Sequence, residues 1–99
     1  MTPEEFIRST KDTIPPSGID ALLLSLWFDA KGDWEKSHDL ISEIESKEAA
    51  LIHAYLHRKE GDIWNADYWY RRAGEKRPTI SLQEEWISIA EKLLSQISL

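Results

Sequence analysis

The chain is 99 residues long, 41% of them hydrophobic, with five tryptophans, no cysteine and a formal net charge of −6. That length predicts one domain spanning 1–99, and the missing cysteine excludes disulfides, thiolate metal sites and cysteine nucleophiles. The acidic balance argues against nucleic acid or an anionic membrane as a target. The acidic start and the lack of any apolar run near the ~20 residues of a bilayer span predict a soluble, cytoplasmic protein.

Six helices follow from start and stop signals. The first opens at Thr2, with Pro3 at the first helical position and Glu5 three residues after the cap, a capping-box pattern. It is expected to run until Pro15-Pro16, where Pro15-Pro16-Ser17-Gly18 forms the linker. The second carries Ile19, Leu22, Leu23, Leu26, Trp27 and Ala30 at helical spacing and stops at Gly32. Asp33 caps the third, whose inner stripe is expected to be Trp34, Ser37, Ile41 and Ile44. Ser46 caps the fourth, with Leu51, Ala54 and Tyr55 on one face, and Gly61 ends it. Asp62 caps the fifth, with Ile63, Ala66, Tyr70 and Ala73 inward, Gly74 past its end and Pro78 beyond. Ser81-Leu82-Gln83-Glu84 opens the sixth as a second capping box, and Leu82, Trp86, Ile89, Leu93 and Ile97 form its stripe. No strand alternation is present, so the fold class is all-α.

Two of these segments echo each other. Trp27 to Trp34 and Leu56 to Ile63 each hold a helical stretch, a Gly-Asp break and a second helical stretch, with Gly32 and Gly61 lying 29 residues apart. A repeated helix-turn-helix implies a stacked scaffold, and such scaffolds bind partners more often than they do chemistry.

The second unit resembles the tetratricopeptide repeat through Ala54, Gly61-Asp62, Ala66, Tyr70, Ala73 and Pro78. The first resembles it less fully, through Ser25, Phe28 and Gly32-Asp33-Trp34. There Ser37 replaces the usual alanine, Ile44 stands where the family prefers a small residue, and no proline follows. Both units lack the family's early tryptophan, and their spacing is shorter than the usual repeat of about 34 residues. The run from His53 to Asp62 followed by Tyr68 to Gly74 is also similar to a group of small, uncharacterised bacterial proteins. The resemblance implies a superhelical arrangement of two hairpins, about 19–46 and 47–74. A helix before them and a helix at about 81–98 would act as caps. It also implies a ligand groove lined by the first helix of each hairpin, near Asp29, Lys31, His53, His57 and Arg58.

Residues 58–77 hold six of the twelve basic residues (Arg58, Lys59, Arg71, Arg72, Lys76, Arg77) against four acids. This is either ordinary solvated charge or a patch for carboxylates. Trp64 and Tyr68 occupy places that hold Glu35 and Asp39 in the first unit, and Arg71 and Arg72 continue along the same side. A terminal repeat must be covered, so the pair is expected to pack under the last helix, against Trp86. The other reading is a peptide-binding or self-association surface, since aromatics beside arginines mark binding hot spots.

His53 and His57, four apart on one helix, match metal-ligand spacing, but Ala54 stands where a zinc protease needs glutamate, and a third ligand such as His38 must come from elsewhere. Packing or hydrogen bonding is the expectation for both, and no metal or cofactor is assigned. His57-Arg58-Lys59-Glu60-Gly61 has the spacing of a phosphorelay histidine motif, but Glu60 replaces the lysine that would stabilise phosphate. No nucleophile elbow, phosphate loop or acid–base pair stands out, and the carboxylates are expected at helix starts and solvent faces.

The sequence therefore predicts a non-enzymatic module for an unidentified protein or peptide. Its candidate binding residues are Trp64, Tyr68, Arg71, Arg72, Arg58, His53 and His57. A small-molecule or metal-binding protein using His53 and His57, and a structural homodimer, are the alternatives.

Overall fold

The computed structural model describes residues 1–97. Its six helices are α1 (Pro3–Ser9), α2 (Ala21–Ala30), α3 (Trp34–Ile41), α4 (Lys47–Glu60), α5 (Ile63–Arg72) and α6 (Leu82–Ile97). No strand occurs among the described residues. The side chain of Ile97, expected on the inner stripe, and the expected helix end at 98 lie outside the described residues.

The Gly-Asp pair explains the echo. At the end of α2 the Gly32 amide donates to the Asp29 carbonyl and the Asp33 amide to the Phe28 carbonyl; after α4, Gly61 donates to Arg58 and Asp62 to His57. These are two copies of the same Schellman closure. Each glycine takes a left-handed φ (+87° and +89°), which a residue with a side chain adopts only under strain. The next residue then starts a new helix, with the Asp33 carboxylate accepting from the Lys36 amide and the Asp62 carboxylate from the Asn65 amide. Two residues thus finish one helix and begin the next.

Small residues sit where the paired helices approach. Ser25 and Ser37 are fully buried between α2 and α3, and Ala54 and Ala66, each 29 residues further on, are fully buried between α4 and α5. Tyr70 fills the second hairpin as Ile41 fills the first.

The remaining helices close one side of the stack. α6 packs on α1, α2 and α4. Trp86 stacks on Phe6 at 5.7 Å, and its indole N–H donates to the Leu26 carbonyl at 3.0 Å. Trp27 likewise donates to the Ser9 carbonyl, tying α2 to α1, and Trp34 donates to the Leu56 carbonyl, tying α3 to α4.

Four sequence expectations are corrected. α1 ends at Ser9 rather than at the prolines. The Ser9 and Thr10 hydroxyls donate to the Phe6 and Ile7 carbonyls, and Trp27 takes the Ser9 carbonyl, so the acceptors of a continuing helix are engaged. Ile19 precedes α2, which Asp20 caps. Ile44 lies in the turn after α3 and is 39% exposed, because the helix ends at Ile41. Ile63, the first residue of α5, is 37% exposed instead of facing inward.

Candidate functional site

The seven candidate residues fall into three places. Trp64, Tyr68, Arg71 and Arg72 line the outer face of α5. The expectation that the last helix covers them is overturned: α6 packs on α1, α2 and α4, and Trp64 is 77% exposed and Tyr68 37%. Trp86, their expected partner, is buried against Phe6. Arg72 joins the surface together. Its guanidinium lies 5.3 Å from the centre of the Trp69 ring and 5.8 Å from that of Tyr68, and it donates to the Tyr68 hydroxyl at 3.1 Å. Beside it a groove of about 600 Å³ opens between the 42–47 turn and α5, lined in part by Ile44, Ala50, Trp69 and Arg72.

Arg58 is placed differently. It donates to the buried Glu85 carboxylate at 2.8 Å and to the Ile80 carbonyl, and the Tyr70 hydroxyl donates to the other Glu85 oxygen at 2.6 Å. This clamp ties α4, α5 and α6 together. A parallel clamp surrounds Asp29, which accepts from the Tyr55 hydroxyl at 2.8 Å and from the Lys59 ammonium at 2.9 Å. Burial first, then the neighbouring carboxylate, pushes both tyrosines up from their ordinary value. The expectation that carboxylates lie only at helix starts and solvent faces is therefore corrected at Asp29 and Glu85, which are buried and paired. Lys31, expected near the groove, donates instead to the Thr10 and Asp12 carbonyls.

His53 and His57 are both buried, and His38 of α3 meets them across the seam between the hairpins. The Nε2 atoms of His38 and His53 are 2.9 Å apart, so one carries the shared proton and the other accepts it. Ring centres are 4.6 Å apart for His38–His53, 5.0 Å for His53–His57 and 5.5 Å for His38–His57. His57 Nδ1 is 2.6 Å from the Glu60 carboxylate. Trp34 stacks on His38 at 4.9 Å, and Trp69 stacks on His53 at 3.9 Å. Burial, then His38 and His57, push His53 down to about 4, and burial, then His57, lowers His38. Both are therefore neutral at pH 7. Buried and held by Glu60, His57 is not displayed as a phosphorelay histidine would be.

Sequence reasoning named His38 only as one example of a third partner. It sits on a different hairpin, 15 residues from His53, and no local spacing connects them. Trp69 was missed because only helix docking sets it over His53. Compared with known proteins, the chain matches no family model, no curated protein and no solved structure.

Proposed function

We propose that the protein is a non-enzymatic, cytoplasmic interaction module on a tetratricopeptide-like scaffold, and that it binds a segment of a partner protein on the outer face of α5. The observation that carries this reading is Trp64, a large ring exposed at 77% on a helix face that α6 leaves bare. Burying such a ring releases the most apolar area any side chain offers. Arg71 and Arg72 make no ion pair among the described residues, and the contacts of Arg72 with Tyr68 and Trp69 leave its charge without a carboxylate partner, so both can meet carboxylates of a partner. The partner segment that fits is an apolar or aromatic anchor flanked by acidic residues. A net charge of −6 favours such a local contact over nucleic acid or an anionic membrane.

The test compares lysate capture by the wild type and by a folded Trp64→Ala/Arg71→Glu variant, followed by binding of the captured protein in purified form across a salt series. A partner held by the wild type, lost by the variant and weakened by salt supports the reading. Equal retention by both proteins rejects the surface. Affinity that ignores salt rejects the arginine contribution. Solution mass that rises with concentration in the wild type but not in the variant would make a second copy of the chain the partner.

A further inference from the structure

We infer that His38, His53 and His57 form a binding site for a divalent transition-metal ion of the zinc class, distinct from the α5 surface. The three rings offer donor atoms that all lie within 4.8 Å of one another. A tetrahedral ion with Zn–N bonds of about 2.0–2.1 Å holds its nitrogens about 3.4 Å apart, so small ring rotations bring these donors into place. The chain has three histidines in all, and the fold gathers every one of them from two helices of different hairpins.

The surroundings orient the rings. The Glu60 carboxylate takes the N–H of His57 Nδ1 and leaves the Nε2 lone pair for an ion, the way carboxylates orient metal-bound imidazoles. The exposed Asp39 carboxylate stands 4.0 Å from His38 Nδ1, beyond hydrogen-bond reach but close enough to favour positive charge at the site. Trp34 and Trp69 lie flat against His38 and His53, with interplanar angles of 10° and 15°, and restrict their rotation. The His38 side chain is 25% exposed, which opens a path from solvent.

The proton balance closes. In the metal-free protein one Nε2 of the His38–His53 pair holds a proton. When the ion takes both lone pairs, that proton moves to Nδ1 of the same ring. Each ring then presents an unprotonated nitrogen to the dication. An all-nitrogen set without thiolate or carboxylate donors suits Zn²⁺, Co²⁺, Ni²⁺ and Cu²⁺ rather than Ca²⁺ or Mg²⁺. Three ligands leave a fourth position for water or an added anion.

Chelator-treated protein titrated with Co²⁺ at neutral pH, followed by its visible absorption and by Zn²⁺ competition, tests the site. One equivalent is expected to bind. His38→Gln is expected to weaken binding about tenfold or more with the helical circular-dichroism spectrum unchanged. No stoichiometric spectrum, or equal affinity in wild type and variant, overturns the site. Should His38→Gln lose its helical spectrum, the wild type decides. Imidazole ¹⁵N resonances of all three histidines are expected to shift with one equivalent of Zn²⁺, and an unmoved His38 overturns the assignment. The Trp64→Ala/Arg71→Glu variant is expected to bind the ion as the wild type does, so failure of the α5 surface leaves this result standing.

Discussion

The hydroxyl oxygens of Ser25 and Ser37 meet at 2.9 Å in the fully buried seam of the first hairpin, where the second hairpin has Ala54 and Ala66. Ser25 also donates to the Ser37 carbonyl at 2.8 Å. One seam is closed by polar contact and the other by bare methyl packing. Removing the Ser25 hydroxyl strands that of Ser37, whereas removing both recreates the alanine seam. Ser25→Ala is therefore expected to cost about 1 kcal/mol, and Ser25→Ala/Ser37→Ala less than the sum of the single changes. A double-mutant cycle by urea unfolding measures this, and strict additivity would contradict it.

The two turn glycines should respond alike. Gly32 and Gly61 have φ of +87° and +89°, and a Cβ at either would meet nothing within 4 Å. The cost of alanine is then conformational strain alone, about 1–2 kcal/mol at each site. Equilibrium unfolding of Gly32→Ala and Gly61→Ala checks this, and near-zero losses would show that the turns relax to other conformations.

Glu85 is expected to be among the costliest polar side chains to remove. Glu85→Ala leaves the Arg58 guanidinium and the Tyr70 hydroxyl without their buried acceptor, a loss of about 3–5 kcal/mol. Replacing Arg58 and Glu85 together by Met and Leu should cost less than Glu85→Ala alone, because no buried charge is then stranded. Thermal unfolding of the three proteins orders them.

Trp64 and Trp86 should differ sharply under the same substitution. Trp64→Ala is expected to change stability by less than about 0.5 kcal/mol, as at an exposed site. Trp86→Ala removes a buried ring stacked on Phe6 and should cost about 3–5 kcal/mol. Comparable losses would mean that Trp64 is covered in solution.

The capping box of α6 carries a pH signature. The Ser81 backbone N–H, and after it the Ser81 hydroxyl, hold Glu84 below its ordinary value of 4.5. A carboxylate depressed in the folded state contributes stability that is present above 4.5 and is lost as pH falls through the lowered folded value. Carboxyl ¹³C titration should place the Glu84 midpoint below 4.5, and Ser81→Ala should return it towards that value.

What the sequence revealed depends on how far apart the interacting groups lie. The caps at Thr2, Asp33, Ser46, Asp62 and Ser81 were legible because each bonds an amide three residues away. The burial of Ala54, Ala66 and Tyr70 followed from helical spacing. The position of α6 was not legible, since its anchor is a bond between Trp86 and a carbonyl 60 residues earlier. The same limit hid the Asp29 and Glu85 clamps, whose partners lie 15 to 30 residues away, and the approach of His38 to His53. Periodicity marks which face of a helix is apolar, but it does not say which helix meets that face.

Three indole N–H groups each bond a backbone carbonyl on another helix: Trp27 at the end of α1, Trp34 at α4 and Trp86 at α2. Each proton is shielded only while its own seam is shut, so the molecule contains three separate gauges of local opening. Solvent exchange of those protons would show whether the seam between the two hairpins breathes before the joints made by α1 and α6. Trp64, open to water, supplies the unprotected reference within the same spectrum.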